Sequence, residues 1–264
     1  MVGVGKKVRH ILGLSGGKDS AALAIYLHKM DPQLEYFFCD THKELPETYE
    51  FLHLLSARLG IRITYLSAER GFDHWLDVFG GLLPSPTMRW CTKQLKIKPL
   101  EKFVGDDEAI SYVGIRADEQ RDGYIAPVNL RIRPVYPFVE AGLRHSDILR
   151  ILKDSGIGLP RYYEWRSRSG CYFCFFQRKY EWVMLSKKHP DLYKKARKYE
   201  EGHSDGRQYY WNDDESLAQI IERQDEIVAN HLKSLEGGRT EHRSNRPLSE
   251  VLFEDDVLPC IMCK

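Results

Sequence analysis

Residues 8–20 of this chain read VRHILGLSGGKDS, and they decide the fold that the sequence predicts. Residues 8–14 form a short apolar run that ends in glycines, which is typical of a buried strand entering a tight turn. Residues 19–30 then place apolar side chains at nearly helical spacing. The stretch therefore predicts a strand, a glycine-rich loop and a helix in direct succession.

The loop, residues 15–20, has the features of a phosphate-binding site. Glycines allow backbone N–H groups to approach phosphate oxygens, and the N-terminus of a helix adds a partial positive charge. Ser15 and Ser20 can donate hydrogen bonds, and Lys18 supplies a point charge. The loop has neither the spacing of the Walker motif, G-x-x-x-x-G-K-[ST], nor that of the dinucleotide motif, G-x-G-x-x-G. A glycine-rich turn without a ligand is the alternative interpretation.

Strand and helix signals alternate through residues 1–125, which predicts an α/β fold with a parallel twisted sheet and helices on both faces. Further strands are predicted at residues 34–39, 61–66, 109–115 and within 127–165, and helices at residues 47–59 after Pro46, 92–103, 145–153 and 216–235. Aromatic and basic residues dominate after residue 170. We therefore divide the chain into a domain at residues 1–165 and a helical, cysteine-bearing C-terminal region at residues 166–264, with a polar loop at residues 236–249.

The composition is typical of a soluble globular protein. Hydrophobic residues make up 42% and charged residues 29%, and the formal net charge is +1. This charge requires no nucleic-acid partner, although the basic residues at 187–198 would suit either a phosphate backbone or a solvated helix face. No apolar run approaches the roughly 20 residues that span a bilayer, and the N-terminus does not read as a signal peptide. We expect a cytoplasmic protein without membrane contact.

Six cysteines point to metal or redox chemistry. Cys171 with Cys174, and Cys260 with Cys263, have C-x-x-C spacing. In a chain without a secretion signal, such pairs more often bind a metal or do redox chemistry than form structural disulfides. Cys39 lies in a predicted buried strand, where a thiol is expected to be part of the core.

The loop at residues 15–20 resembles the PP-loop, S-G-G-x-D-S, of the N-type ATP pyrophosphatases. Three later segments resemble the phosphoadenylyl-sulfate reductase relatives within that group, namely residues 38–48 (FCDTHKELPET), 89–96 (RWCTKQLK) and 114–121 (GIRADEQR). The resemblance covers residues 8–174 and implies an adenine nucleotide alpha hydrolase-like fold. It also implies that the protein binds ATP and Mg²⁺ and cleaves ATP between the α- and β-phosphates.

The resemblance implies the site residues as well. The catalytic set comprises Lys18, Asp19, Asp40 and Arg116, and the nucleotide-binding set comprises Ser15, Gly16, Gly17, Lys18, Asp19, Ser20, Gly114 and Arg116. Asp40 ends a predicted strand, where open α/β sheets bind ligands, and would orient Mg²⁺ or the ribose unless it only caps the following turn. Arg116 and Arg121 follow the fourth strand and would bind a phosphate or sulfate unless they are ordinary surface residues.

Three cysteines are placed as family members place the ligands of an iron–sulfur cluster, namely Cys91, Cys171 and Cys174. The resemblance implies a [4Fe–4S] cluster that Cys260 or Cys263 completes, or that keeps one iron open to sulfur. A zinc ion on the same thiolates and unligated thiols are the alternatives. The C-terminal pair would otherwise act as a sulfur relay that carries a persulfide.

The resemblance favours a sulfurtransferase that adenylates its acceptor, closest to the ATP pyrophosphatase of bacterial DNA phosphorothioation. Such an enzyme takes sulfur from a cysteine desulfurase and works with DNA or with partner modification proteins. The sequence has no E-C-G-L-H-type tail of the sulfate reductases, and Trp90 stands where iron–sulfur reductases carry a second adjacent cysteine. Reduction of phosphoadenylyl or adenylyl sulfate, tRNA thiolation, and a non-catalytic nucleotide-binding scaffold are the alternatives.

Overall fold

Five parallel strands form one sheet within residues 8–28, 30, 33–119, 131–201, 208–212 and 215–236, which are the residues that a computed structural model describes. The strands are β1 (Val8–Gly13), β2 (Glu35–Asp40), β3 (Ile63–Ser67), β4 (Glu108–Tyr112) and β5 (Ile132–Val135). Their order across the sheet is β3-β2-β1-β4-β5, and every neighbouring pair is parallel. The predicted α/β fold is confirmed.

Helices follow β1, β2, β3 and β5 in the part of the chain that the structure describes. They are α1 (Lys18–His28), α2 (Pro46–Leu59), α3 (Phe72–Val78), α4 (Trp90–Thr92), α5 (Lys98–Val104), α6 (Pro137–Glu140), α7 (His145–Asp154), α8 (Lys179–Lys188), α9 (Pro190–Lys198), α10 (Leu217–Glu222) and α11 (Gln224–Glu236). None of these described helices has both the length and the apolar character that a membrane span requires. The loop predicted at residues 236–249 lies beyond the described residues from position 237 onward.

Alternate side chains of β1 and β2 fill the two faces of the sheet, as the two-residue period of a strand requires. Leu12 and Phe38 pack on one face with residues of α1, α2 and α7. Ile11 and Phe37 pack on the opposite face with residues of α5. All four side chains are buried, and burial of a side chain of this size contributes roughly 1.5–3 kcal/mol. Helices cover both faces, as predicted.

A second core, rich in aromatic side chains, joins the C-terminal region to the insert between β3 and β4. The ring centroids of Phe173 and Phe72 lie 4.3 Å apart. Phe173 also stacks on Trp211, and the centroids of these two rings lie 5.0 Å apart. Trp182 and Trp90 are buried in the same cluster. The aromatic residues beside the predicted cluster cysteines therefore pack as core.

The helix predicted at residues 216–235 is two helices, α10 and α11, which meet at Arg223. Ser216 begins α10 in a capping box, because its N–H donates to Gln219 Oε1 at 2.8 Å and its Oγ accepts from the Gln219 N–H at 3.3 Å. Arg223 leaves the helical conformation, and its guanidinium contacts Glu215 and Glu226 on either side of the break.

The helix predicted at residues 92–103 begins at Trp90 and contains a π-helical turn, Lys93–Ile97, between α4 and α5. Such turns widen a helix locally and occur frequently at functional sites. This turn contains the buried side chain of Lys96.

Candidate functional site

The loop at residues 15–20 lies at the carboxyl edge of the sheet, between β1 and α1. The chain leaves β1 toward β2 and β3 on one side of the sheet, and β4 and β5 lie on the other side. The strand order therefore reverses beside β1, and open α/β sheets bind their ligands in the crevice at such a point. The fold places the predicted phosphate loop at this crevice.

Two serine hydroxyls hold the loop in shape. Ser20 Oγ accepts the N–H of Ser15 at 3.1 Å and donates to the carbonyl oxygen of Gly17 at 3.2 Å. The hydroxyls of Ser15 and Ser20 lie 3.1 Å apart. The loop is thus preorganised by its own side chains before any phosphate binds.

The two loop glycines are required by close contacts with neighbouring elements. Gly16 has φ +73°, and a Cβ at this position would lie 2.5 Å from Thr48 Cγ2 on α2. A Cβ on Gly17 would lie 2.8 Å from Ser169 Oγ. Both distances are shorter than carbon contacts in proteins, so a side chain at either position would displace Thr48 or Ser169 from its place beside the loop.

Three of the predicted catalytic residues lie in direct contact. Lys18 Nζ lies 3.1 Å from Asp19 Oδ2, and Arg116 Nη1 lies 2.8 Å from Asp19 Oδ1. Arg116 also contacts Asp118 at 3.0 Å and Glu119 at 2.9 Å. The structure therefore brings together the loop cation and the arginine that follows β4, with the carboxylate of Asp19 between them. Arg121, the other predicted arginine, lies outside the described residues.

Gly114, another predicted nucleotide-binding residue, lies against the backbone at the start of α1. A Cβ at Gly114 would lie 3.0 Å from the Asp19 carbonyl oxygen and 3.1 Å from its carbonyl carbon. The glycine therefore lets the segment after β4 approach the phosphate loop closely.

We expect Gly114→Ala to weaken ATP binding about tenfold, because the added methyl group displaces the first turn of α1 and misplaces the phosphate donors. The measurement is the dissociation constant for ATP with Mg²⁺, by calorimetry. Gly71→Ala is the matched control, since a Cβ at Gly71 has nothing within 4 Å. Equal ATP affinity of Gly114→Ala and the control would contradict the prediction.

Asp40 lies at the end of β2, as predicted, but its contacts are those of a turn cap. Asp40 Oδ1 accepts the backbone N–H of His42 at 2.8 Å and the hydroxyl of Tyr49 at 2.7 Å. Burial, and then the hydrogen bond to Asp40, raises the pKa of Tyr49. These contacts agree with the alternative interpretation of Asp40, the cap of the turn that leads to α2.

Three side chains from the C-terminal part of the chain cover the phosphate loop, and sequence reasoning missed all of them. Tyr162 OH donates to the carbonyl oxygen of Gly16 at 2.6 Å, and Tyr163 OH accepts the N–H of Lys18 at 3.3 Å. Ser169 Oγ donates to Ser15 Oγ at 3.2 Å. No spacing in the sequence signals these contacts, because they join residues far apart in the chain.

A cavity opens beside the loop, between the ends of β1 and β2. Its lining includes Ser15, Glu44, Lys96 and Ser169. Glu44 accepts the hydroxyl of Thr41 at 2.8 Å, and burial raises the pKa of its carboxyl group. Glu44 and Lys96 are both nearly inaccessible to solvent, so the cavity has a charged floor that sequence reasoning did not assign.

Cys39 lines this cavity, and the cysteines form no metal site among the described residues. The thiol of Cys171 lies 3.2 Å from Thr41 Oγ1 and 3.6 Å from Glu44 Oε1. Burial raises the pKa of that thiol. Cys91, the ligand predicted in the insert, packs against the second core. Within the part of the chain that the structure describes, no three Cys, His, Asp or Glu side chains are placed to hold a metal ion.

The C-terminal cysteines predicted to complete the ligand set, Cys260 and Cys263, lie outside the described residues. The [4Fe–4S] cluster and the zinc ion therefore stay predictions. Cys39, by contrast, is 3% exposed, which confirms its place in the core. Its thiol contacts the carbonyl oxygen of Lys96 at 3.5 Å.

Comparison with known proteins finds a domain family that matches part of the chain and several similar proteins. Residues 9–133 match the profile of the phosphoadenosine phosphosulfate reductase domain. An uncharacterized protein of Methanocaldococcus jannaschii is 27% identical over 214 residues, which cover 74% of this chain and 43% of that protein. The tRNA-specific 2-thiouridylase of Actinobacillus succinogenes is 25% identical over 131 residues, which cover 44% of this chain and 33% of that enzyme.

This chain spans less than half the length of either curated relative. Among solved structures, the phosphoadenylyl-sulfate reductase of Candida auris superposes with a TM-score of 0.49 at 14% sequence identity. The superposition covers 64% of this chain and 84% of that reductase chain.

Proposed function

Because residues 9–133 carry a domain of the phosphoadenosine phosphosulfate reductase type, within the PP-loop proteins, we propose that this chain adenylates an acceptor for sulfur transfer. ATP binds at the loop of residues 15–20 and is cleaved between its α- and β-phosphates. The observation that carries the proposal is the loop itself, which lies at the crevice with two glycines held against neighbouring elements and Lys18 in contact with Asp19. This geometry fits a triphosphate tail.

The reaction has two steps. An acceptor oxygen attacks the α-phosphorus, the bond to the bridging oxygen breaks, and pyrophosphate leaves with the electron pair. A sulfur nucleophile then attacks the activated atom of the acceptor, and AMP leaves with the acceptor oxygen. Adenylation thus converts a poor leaving group into a good one.

The residues of the chain act mainly on the first step. Lys18 and the loop N–H groups stabilise the negative charge that grows on the departing pyrophosphate. Asp19 holds Lys18 and Arg116 in position until the phosphates compete for both cations. Mg²⁺, when it enters with ATP, adds further charge neutralisation, and Asp19 supplies the carboxylate of the loop that suits it. No step depends on the predicted iron–sulfur cluster.

The acceptor is proposed to be a nucleic acid, with phosphorothioation of the DNA backbone as the leading candidate and a cysteine desulfurase as the sulfur donor. The similarity to an enzyme named for thiolation of tRNA supports sulfur transfer to a nucleic acid. The basic segment at residues 187–198 supports it too, because its six lysine and arginine side chains are all exposed. The same similarity makes tRNA thiolation the second candidate.

The test is incubation of the full chain with ATP and Mg²⁺, followed by chromatography of the nucleotides and an assay of pyrophosphate. We expect AMP and pyrophosphate in equal amounts, because water can take the place of the acceptor at the α-phosphorus, so that one bond is broken in each ATP. Release of ADP and inorganic phosphate would contradict the proposal. Production of sulfite from phosphoadenylyl sulfate, with a thiol as reductant, would instead assign the chain to sulfate reduction.

The acceptor needs a separate measurement. Nucleosides from DNA and tRNA of cells with and without the gene are compared by mass spectrometry. Loss of a phosphorothioate dinucleotide is the expected result. Loss of a thiolated tRNA nucleoside would favour the second candidate.

A further inference from the structure

Two arginines from distant parts of the chain share one aromatic ring. The guanidinium carbon of Arg168 lies 4.6 Å from the centroid of Phe176, and that of Arg89 lies 5.4 Å from the same centroid. Arg89 precedes α4 in the insert, and Arg168 lies in the C-terminal region. Tertiary packing therefore gathers two permanent positive charges around Phe176.

This pair lies next to the phosphate loop. Arg168 directly precedes Ser169, whose hydroxyl donates to Ser15 in the loop. Arg168 is therefore one residue away from a direct contact with the loop.

Both arginines are only half-buried, so a ligand can reach them. The Nε of Arg89 is buried and has no hydrogen-bond partner among the described residues. An anion that contacts both guanidinium groups is attracted by two positive charges. The planar fork of a guanidinium matches the oxygens of a phosphate in a bidentate manner.

We propose that Arg89 and Arg168, positioned by Phe176, form a second anion subsite that binds a backbone phosphodiester of the acceptor next to the bound ATP. The inference rests on the proposed function and deepens it, because it names the acceptor as a nucleic acid held through its phosphate backbone. The exposed basic residues of α8 and α9 would then contact the backbone further along the strand.

The experiment measures binding of a fluorescently labelled DNA oligonucleotide to the full chain by anisotropy over a series of salt concentrations. The variants are Arg89→Ala, Arg168→Ala and the double substitution. Arg62→Ala is the matched control, since Arg62 is an exposed arginine remote in sequence from the site. Arg89→Lys and Arg168→Lys keep the positive charge but lose the planar guanidinium group, which can donate to two phosphate oxygens at once. Circular dichroism verifies that each variant is folded.

We expect each alanine variant to weaken binding about tenfold and to reduce the slope of log Kd against log salt by about 1. The lysine variants should recover the slope but not the full affinity, whereas Arg62→Ala should bind as the wild type does. A lost guanidinium that only packed on Phe176 would leave the salt slope unchanged, which separates binding from a structural role.

Two results would overturn the inference. The first is wild-type affinity and slope in the double variant. The second is failure of the wild type to bind the oligonucleotide while inorganic phosphate binds at the two arginines, which would mark a small-molecule acceptor. Binding of a fluorescent ATP analogue to the same preparations tests the proposed function separately, so failure of one proposal does not obscure the other.

Discussion

Lys18→Ala is expected to lower the rate of pyrophosphate release about 100-fold, which is the usual effect of removing one preorganised group that stabilises transition-state charge. Lys18 contacts Asp19 at 3.1 Å, and its ammonium group lies 5.5 Å from the centroid of Tyr163. The ammonium is therefore held beside the loop, where the leaving pyrophosphate gains charge. Both kcat and kcat/KM should fall, because the contact strengthens as the bond breaks.

The measurement for Lys18→Ala is steady-state pyrophosphate release at saturating ATP and Mg²⁺. Lys153→Ala removes the same charge from an exposed position and should retain the wild-type rate. Asp19 keeps its contact with Arg116 when Lys18 is replaced, so the loop should stay folded. A rate for Lys18→Ala within twofold of the wild type would exclude the loop as the site of ATP cleavage.

Gly16→Ala is expected to abolish ATP binding and to destabilise the fold by about 2–5 kcal/mol. Two physical effects add in this variant. A left-handed backbone costs a residue with a Cβ roughly 1–2 kcal/mol. The new methyl group also overlaps Thr48 Cγ2 at 2.5 Å, and overpacking of this kind typically costs a further 1–3 kcal/mol.

Two further variants separate these effects. Gly60→Ala places alanine at φ +65°, where its Cβ would have no neighbouring atom within 4 Å. The loss of unfolding free energy in this variant therefore measures the cost of the left-handed backbone alone. Gly16→Ala combined with Thr48→Ser removes the overlapping methyl group and should regain part of the lost stability and ATP affinity. The measurements are urea unfolding and calorimetry with ATP. Equal unfolding free energies for Gly16→Ala and Gly60→Ala would show that the contact with α2 does not constrain the loop.

These predictions share a structural basis, since the loop is fixed from three directions. Thr48 on α2 limits the space at Gly16, Gly114 after β4 lies against Asp19, and Ser169 reaches Ser15 from the C-terminal region. The proposed nucleotide site is therefore not a property of the loop alone. Changes in the C-terminal region are expected to affect ATP use even though that region is distant in sequence.

Much of the fold was predictable because its signals are local. The loop at residues 15–20, the strand before it and the helix after it follow from glycine, apolar periodicity and the geometry of a helix N-terminus. The helix at Pro46–Leu59 and the amphipathic helix at His145–Asp154 were predicted to within a residue or two. The break at Arg223 was not predictable, because neither glycine nor proline marks it in residues 216–236.

By itself, then, the sequence determined the parallel sheet and the succession of strand, glycine-rich loop and helix that contains Lys18 and Asp19. Only the tertiary structure decided that Asp40 contacts His42 and Tyr49, that Tyr162, Tyr163 and Ser169 cover the loop, and that Arg89 meets Arg168 on Phe176. The physical reason is the range of the interactions. Backbone preferences act over a few residues and produce a periodic pattern of residue types in the sequence. Contacts between distant segments depend on how whole helices and strands pack, and they produce no such pattern in a single sequence.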